Sequence, residues 1–152
     1  MNTRSDTDLY RSGWDEMDRQ HGHLCDSFAY LGAAPRNRWL DLPELRRIIA
    51  EMTDHFDWEE AEMRQVGYPD LAHHHSDHQR QLSNLHGILL LVEKGAEVLD
   101  LTFFQACEQW NYRHIRGQDS DFSIFLLDRE TWDLQRELRA WDLDLRMGAL
   151  LA

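Results

Sequence analysis

Apolar and polar positions along this chain follow helical spacing, and no run alternates in the strand manner between hairpin turn signals. The three prolines, Pro35, Pro43 and Pro69, each stand where a helix would start or stop. The pattern predicts a first helix from about Asp15 to Leu31, ended by Gly32 to Pro35. A second begins near Pro43, a residue suited to the first turn, and runs to about Val66. Gly67-Tyr68-Pro69-Asp70 reads as stop, turn and restart. A third helix follows from about Leu71 to Lys94, closed by Gly95. A fourth runs from about Thr102 past His114 towards Leu127, and a fifth from about Arg129 to Met147. Four helices with short connections make an all-α, antiparallel up-down bundle. Residues 1–127 form that bundle, and 128–152 are read as a helical extension of the same domain.

Composition narrows the function. A chain of 152 residues is about one domain, large enough to build a core without disulfides. Two cysteines, Cys25 and Cys107, are too few for a disulfide framework and read as small core residues, with a redox role as the sharper alternative. The net charge of −12 disfavours non-specific binding to nucleic acid or to an anionic membrane surface. Residues Met1 to Gln20 lack the apolar stretch of a signal peptide. The longest apolar run, Gly87 to Val92, is far shorter than the ~20 residues of a bilayer span. A cytoplasmic protein is the default expectation.

The histidines change the picture. There are nine, at positions 21, 23, 55, 73, 74, 75, 78, 86 and 114. His55 and Glu59 lie four apart on the second helix, and His74 and His78 four apart on the third, so each pair shares a face. His21 belongs to the first helix and His114 to the fourth. An isolated pair at this spacing is more often a solvent face, but here all four helices offer an imidazole that can converge on the bundle interior. Imidazole and carboxylate suit iron or zinc. Five histidines with two carboxylates exceed what one tetrahedral zinc uses, and suit two metals bridged by carboxylates. The ferritin-type Glu-x-x-His and the zinc-protease His-Glu-x-x-His patterns are both absent.

Four segments, GWDEMDRQHGHL from Gly13, HFDWEEAEM from His55, GYPDLAHHHSDH from Gly67 and WNYRHIRGQD from Trp110, resemble the hemerythrins, most closely the bacterial ones. The resemblance implies seven iron ligands: His21, His55, Glu59, His74, His78, His114 and Asp119. The Tyr68-Pro69 turn sets the register that selects His74 and His78 and leaves His73 and His75 as neighbours. By the family pattern, His74, His78 and His114 hold one iron and His21 and His55 the other, with Glu59, Asp119 and an oxo or hydroxo group bridging. Dioxygen would bind reversibly as hydroperoxide at the second iron, in a pocket expected to include Phe56, Asn111 and Ile115.

Asp119 is awkward from periodicity alone. Residues five apart on an α-helix diverge by about 140°, and Asp121, seven after His114, shares its face better. Asp119 is kept on the family motif, with Gly117 as the residue that lets the helix distort, and Asp121 is the runner-up. Asn111 departs from the Leu usual in the family. It either contacts bound oxygen or water, or points away from a pocket walled by aromatic and aliphatic side chains. Trp14, Phe28, Phe56, Trp58, Trp110 and Phe122 are expected in the core. Beyond Asp119, the stripe Trp132, Leu134, Leu138, Trp141 and Leu145 predicts a helix packed back on the bundle, or a surface for a second copy or protein partner.

The resemblance therefore implies an oxygen-binding protein for carriage, storage or delivery, not an enzyme. The alternatives are an oxygen- or redox-sensing module acting through the C-terminal helix, and a peroxidase or oxidase made leaky by Asn111.

Overall fold

The structure is a computed structural model and describes residues 12–32, 42–95 and 101–150. These form α1 (Asp15–Gly32), α2 (Leu42–Val66), α3 (Leu71–Glu93), α4 (Leu101–His114), a π-helical turn (Ile115–Asp119), α5 (Ser120–Leu127) and α6 (Arg129–Leu150). The predicted helices are all present. The expected stop at Pro35 lies outside the described residues.

Local chemistry sets the ends. Asp15, Glu16 and Asp18 fill the first turn of α1, where negative charge suits the helix dipole. The Asp18 carboxylate also accepts from the Ser12 hydroxyl at 2.8 Å, tying down the entering chain. At the end of α2, the Tyr68 amide donates to the Met63 carbonyl at 2.9 Å and the Gly67 amide to that of Arg64 at 3.3 Å. This is the Schellman closure, and it needs a left-handed residue, which Gly67 supplies at φ 68°. Pro69 then prevents the helix from continuing. Between α5 and α6, Asp128 leaves the helical region and its carboxylate accepts from the Thr131 amide at 3.1 Å, capping α6.

The core forms two apolar clusters. One contains Leu24, Phe28, Leu45, Ile48, Ile49, Met52, Phe56, Leu85 and Cys107. The other contains Met17, Met63, Tyr68, Phe122, Phe125 and Trp132. Each such side chain contributes about 1.5–3 kcal/mol on full burial. Their order along the chain gives the topology. α1 passes from the second cluster at Met17 to the first at Leu24, whereas α2 passes from the first at Met52 to the second at Met63. α3 runs from Leu71, packed on the second cluster, to Leu85 in the first, and α4 with α5 returns from Cys107 to Phe122. The directions alternate, as an up-down bundle requires. On every helix the candidate ligands fall between the two clusters, so the polar layer is sealed at both ends.

The C-terminal helix corrects the expectation in part. Trp132, 3% exposed, packs edge-on against Phe125 at 4.9 Å between ring centroids. Arg139 reaches back to Asp121 at 2.6 Å. Leu134, Leu138 and Trp141 are instead exposed, Trp141 at 65%. The helix docks by its first turns, and those three residues of the stripe face solvent. The side chain of Leu145 lies outside the described residues.

Candidate metal centre

The side chains of His21, His55, Glu59, His74, His78, His114 and Asp119 are all buried, with Glu59 and Asp119 fully enclosed. Glu59, His74, His78, His114 and Asp119 each present one ligand atom within 4.8 Å of the others. His21 joins through Asp119: its Nε2 is 3.1 Å from Oδ2. His55 stands beside His21, ring centroids 5.0 Å apart. Asp119 thus faces two ways. Its Oδ1 lies 3.1 Å from His114 Nε2 and 3.4 Å from His74 Nε2, while Oδ2 turns to His21. Glu59 Oε2 lies 3.2 Å from His74 Nε2 and 3.4 Å from His78 Nε2.

Asp119 reaches this position because the helix changes pitch. Over Ile115–Asp119 the backbone is π-helical, and the Ser120 amide donates to the carbonyl of Ile115, five residues back. The Ser120 hydroxyl donates to the same carbonyl at 3.0 Å. A wider turn brings the fifth residue back beneath His114. Asp121, the runner-up from periodicity, lies outside the cluster and pairs with Arg139. Gly117 is not what permits the π turn. Its φ is not in the left-handed range, and an added Cβ would meet nothing within 4 Å.

Three further polar groups hold the imidazoles, and sequence reasoning missed them. Glu60 lies 3.0 Å from His78 Nδ1, and Asp77 lies 3.1 Å from His114 Nδ1. Gln20 Oε1 lies 2.9 Å from His55 Nδ1. Each fixes a tautomer: Nδ1–H donates to the oxygen, and Nε2 is left with its lone pair inward. The signal in the sequence was adjacency, since Glu60 follows Glu59 and Asp77 precedes His78. Glu60 is further engaged by the exposed His75 at 2.9 Å and by Arg64 at 3.0 Å. Gln118 donates to Asp77 at 2.8 Å, and Arg80 pairs with it as well. His73 and His75 are exposed, and both lie outside the group of converging ligand atoms.

The arrangement is chemically incomplete without a cation. With both Nδ1 atoms donating to carboxylates, the Nε2 lone pairs of His78 and His114 confront each other at 2.9 Å. Two acceptors cannot bond to one another, and a positive ion between them resolves the conflict. Glu59 Oε1 and both oxygens of Asp119 are buried without a hydrogen-bond partner of proper geometry among the described residues. Two enclosed carboxylates are costly to bury unless cations compensate them. Burial lowers His55 and His74 to about 3, and lowers His78 further, so these imidazoles are neutral, as metal ligands must be. Burial raises the Glu59 carboxyl well above its usual range, reinforced by the charge of Asp119. For Asp119 burial acts in the same sense, but the neighbouring His114 and His21 outweigh it and hold the group well below its usual range. The residues fit a pair of borderline divalent metals.

A family model described as the hemerythrin HHE cation binding domain matches residues 12–123. The chain belongs to the hemerythrin family. It is similar to the protein named bacteriohemerythrin of Stenotrophomonas maltophilia (strain R551-3), 26% identical over 115 residues and covering 73% of each chain. It is also similar to bacteriohemerythrin of Campylobacter jejuni subsp. jejuni serotype O:23/36 (strain 81-176), 26% identical over 110 residues, 70% of this chain and 82% of that one. No solved structure matches significantly. The matched span includes all seven of the buried side chains described above, from His21 to Asp119.

A small cavity adjoins that cluster on the His21–His55 side. It is lined by His21, His55, His114 and Asp119, and by Leu24, Cys25, Met52, Phe56, Trp110, Asn111 and Ile115. It has room for about one water-sized molecule. The three predicted pocket residues, Phe56, Asn111 and Ile115, all line it. Cys25 lines it too, while Cys107 is core, its thiol pushed up to about 11 by burial. No helix among the described residues is long and apolar enough to cross a membrane.

Proposed function

We propose that this chain binds dioxygen reversibly at two irons, with His74, His78 and His114 on one and His21 and His55 on the other. Glu59 and Asp119 would be shared between the two, and a solvent-derived oxygen would complete the set. The observation that carries this reading is Asp119, whose two oxygens face opposite imidazole sets. The family membership of residues 12–123 supports it independently. Ferrous iron, when bound, supplies the electrons that let dioxygen attach and later leave unchanged.

The chain's own residues do the rest. Glu59 and Asp119 bring negative charge that offsets that of the cations, which lowers the cost of enclosing them. Glu60, Asp77 and Gln20 hold the imidazole tautomers so that Nε2 faces inward. Phe56 stacks on His78 with centroids 3.7 Å apart, and Trp110 on His114 at 4.5 Å. These rings orient the ligands and exclude water from one wall. Both rings also line the small cavity, which has room for about one water-sized molecule. The proposed role is binding rather than catalysis.

The test is iron content together with absorption spectra taken anaerobically and then in air. Two irons per chain and a visible band that appears with oxygen and reverses under vacuum are expected. Fewer than two irons after reconstitution, or a band that does not reverse, overturns the reading. A sensing role is the second reading, favoured by the exposed Leu134, Leu138 and Trp141 on α6. It predicts that oligomer size or partner capture differs between the oxygenated and deoxygenated forms.

A further inference from the structure

Asn111 is 6% exposed, and its amide nitrogen has no hydrogen-bond partner among the described residues. Buried polar groups are nearly always paired, and an orphaned donor calls for a specific explanation. Its surroundings supply one. Asn111 lines the small cavity beside the ligand cluster, where Met52, Phe56, Trp110 and Ile115 offer no side-chain oxygen that could accept its proton. Asp119 and the histidines that also line it make no hydrogen bond to the amide, and in the metal reading their oxygens and Nε2 atoms are committed. Among the described residues, that leaves a molecule inside the cavity as the acceptor.

We infer that Asn111 is the donor that recognises the ligand taken into this cavity, selecting small molecules whose free end carries an acceptor atom or negative charge. The inference rests on the two-iron reading above and deepens it. A cavity with room for about one water-sized molecule admits a diatomic or a slim anion and excludes larger ones. An amide donor in an otherwise apolar wall strengthens any acceptor placed against it, because the local dielectric is low. The same donor discriminates against ligands of equal size that offer no acceptor, since these leave the amide orphaned. Asn111 therefore sets ligand preference without holding the metal.

The experiment uses the iron-reconstituted, oxidised protein and azide as the probe, comparing wild type with Asn111→Leu, a swap of similar size. Azide affinity and the infrared stretching frequency of bound azide are measured on both. Loss of one hydrogen bond to a charged ligand should weaken azide roughly tenfold or more and shift the frequency. Iron content should be equal in the two proteins. Equal affinity and an unshifted frequency would overturn the inference, and so would loss of iron from the Asn111→Leu protein. If wild type itself fails to take up two irons, the reading under Proposed function falls instead. In that case the thermal midpoints of the two metal-free proteins decide about the amide. Leucine removes an unpaired buried donor and should raise the midpoint. An unchanged or lower midpoint shows the amide is satisfied elsewhere, and the inference fails.

Discussion

His74, His75 and His78 show how one turn of helix separates buried imidazoles from an exposed one. His74 and His78 point inward to Glu59, while His75 lies exposed against Glu60. His78→Ala should therefore reduce iron to below two per chain, and His75→Ala should leave it at two, as measured by metal analysis after reconstitution. A reversed result would move the register of α3 by one residue. The same logic separates the two acids after the π turn. Asp119→Asn removes the buried charge that faces both imidazole sets and should lose iron. Asp121→Asn breaks only an outer pair with Arg139 and should keep it, at a stability cost within about 1 kcal/mol. Asp77 acts at one remove, through the Nδ1–H of His114. Asp77→Ala should weaken metal affinity about 10–100-fold, read by competition with a chelator, while the fold persists.

At the scale of the element, the π turn decides whether the fourth rod can deliver both His114 and Asp119. Its cause is a doubly used carbonyl: the Ser120 amide and hydroxyl both donate to Ile115. Glycine freedom is not required, so Gly117→Ala should retain two irons and raise stability by up to about 1 kcal/mol, seen as a shifted urea midpoint. Loss of iron in that variant would restore the glycine to a structural role. This element also marks the limit of reading by period. The helices and their stops were legible because Gly67, Pro69 and Gly95 are strong local signals, and the i, i+4 pairs of α2 and α3 were legible because both stay α-helical. Asp119 was not legible from period, since 100° per residue points it away from His114; only the family motif found it. Glu60, Asp77 and Gln20 stand beside Glu59, His78 and His21 along the chain, but nothing in their spacing points to the imidazoles they hold. Their partners are 18, 37 and 35 residues distant and meet only on folding. The α6 stripe misled in the opposite way. It is regular in sequence, yet Trp132 enters the core and Trp141 does not. Trp132→Ala should accordingly cost about 3–5 kcal/mol, whereas Trp141→Ala should stay within about 0.5 kcal/mol in denaturant unfolding of the monomer.

For the whole molecule, the polar layer between two apolar clusters couples stability to protons and to metal. In the metal-free chain His55 and His74 are held near 3 by burial, against about 6.5 when unfolded, and His78 is lowered further. Between pH 6.5 and 3 the unfolded chain therefore binds more protons than the folded one. Stability conferred by these neutral imidazoles is present above pH 6.5 and is lost as pH falls towards 3, at up to about 1.4 kcal/mol per pH unit for each. Asp119, held below its usual range, adds loss in the same direction below its unfolded pKa of about 4. Glu59 acts oppositely: its raised carboxyl stabilises the fold in acid and loses that contribution as pH rises above about 4.5. Three imidazoles outweigh one carboxyl, so the urea midpoint of the metal-free chain should fall steadily from pH 6.5 to pH 4. Adding ferrous iron under anaerobic conditions should raise the midpoint at pH 7 and progressively less at lower pH, because protons compete with metal for the same Nε2 lone pairs. A metal-free midpoint that stays flat from pH 6.5 to pH 4 would mean that these imidazoles reach solvent, and the sealed layer would not exist.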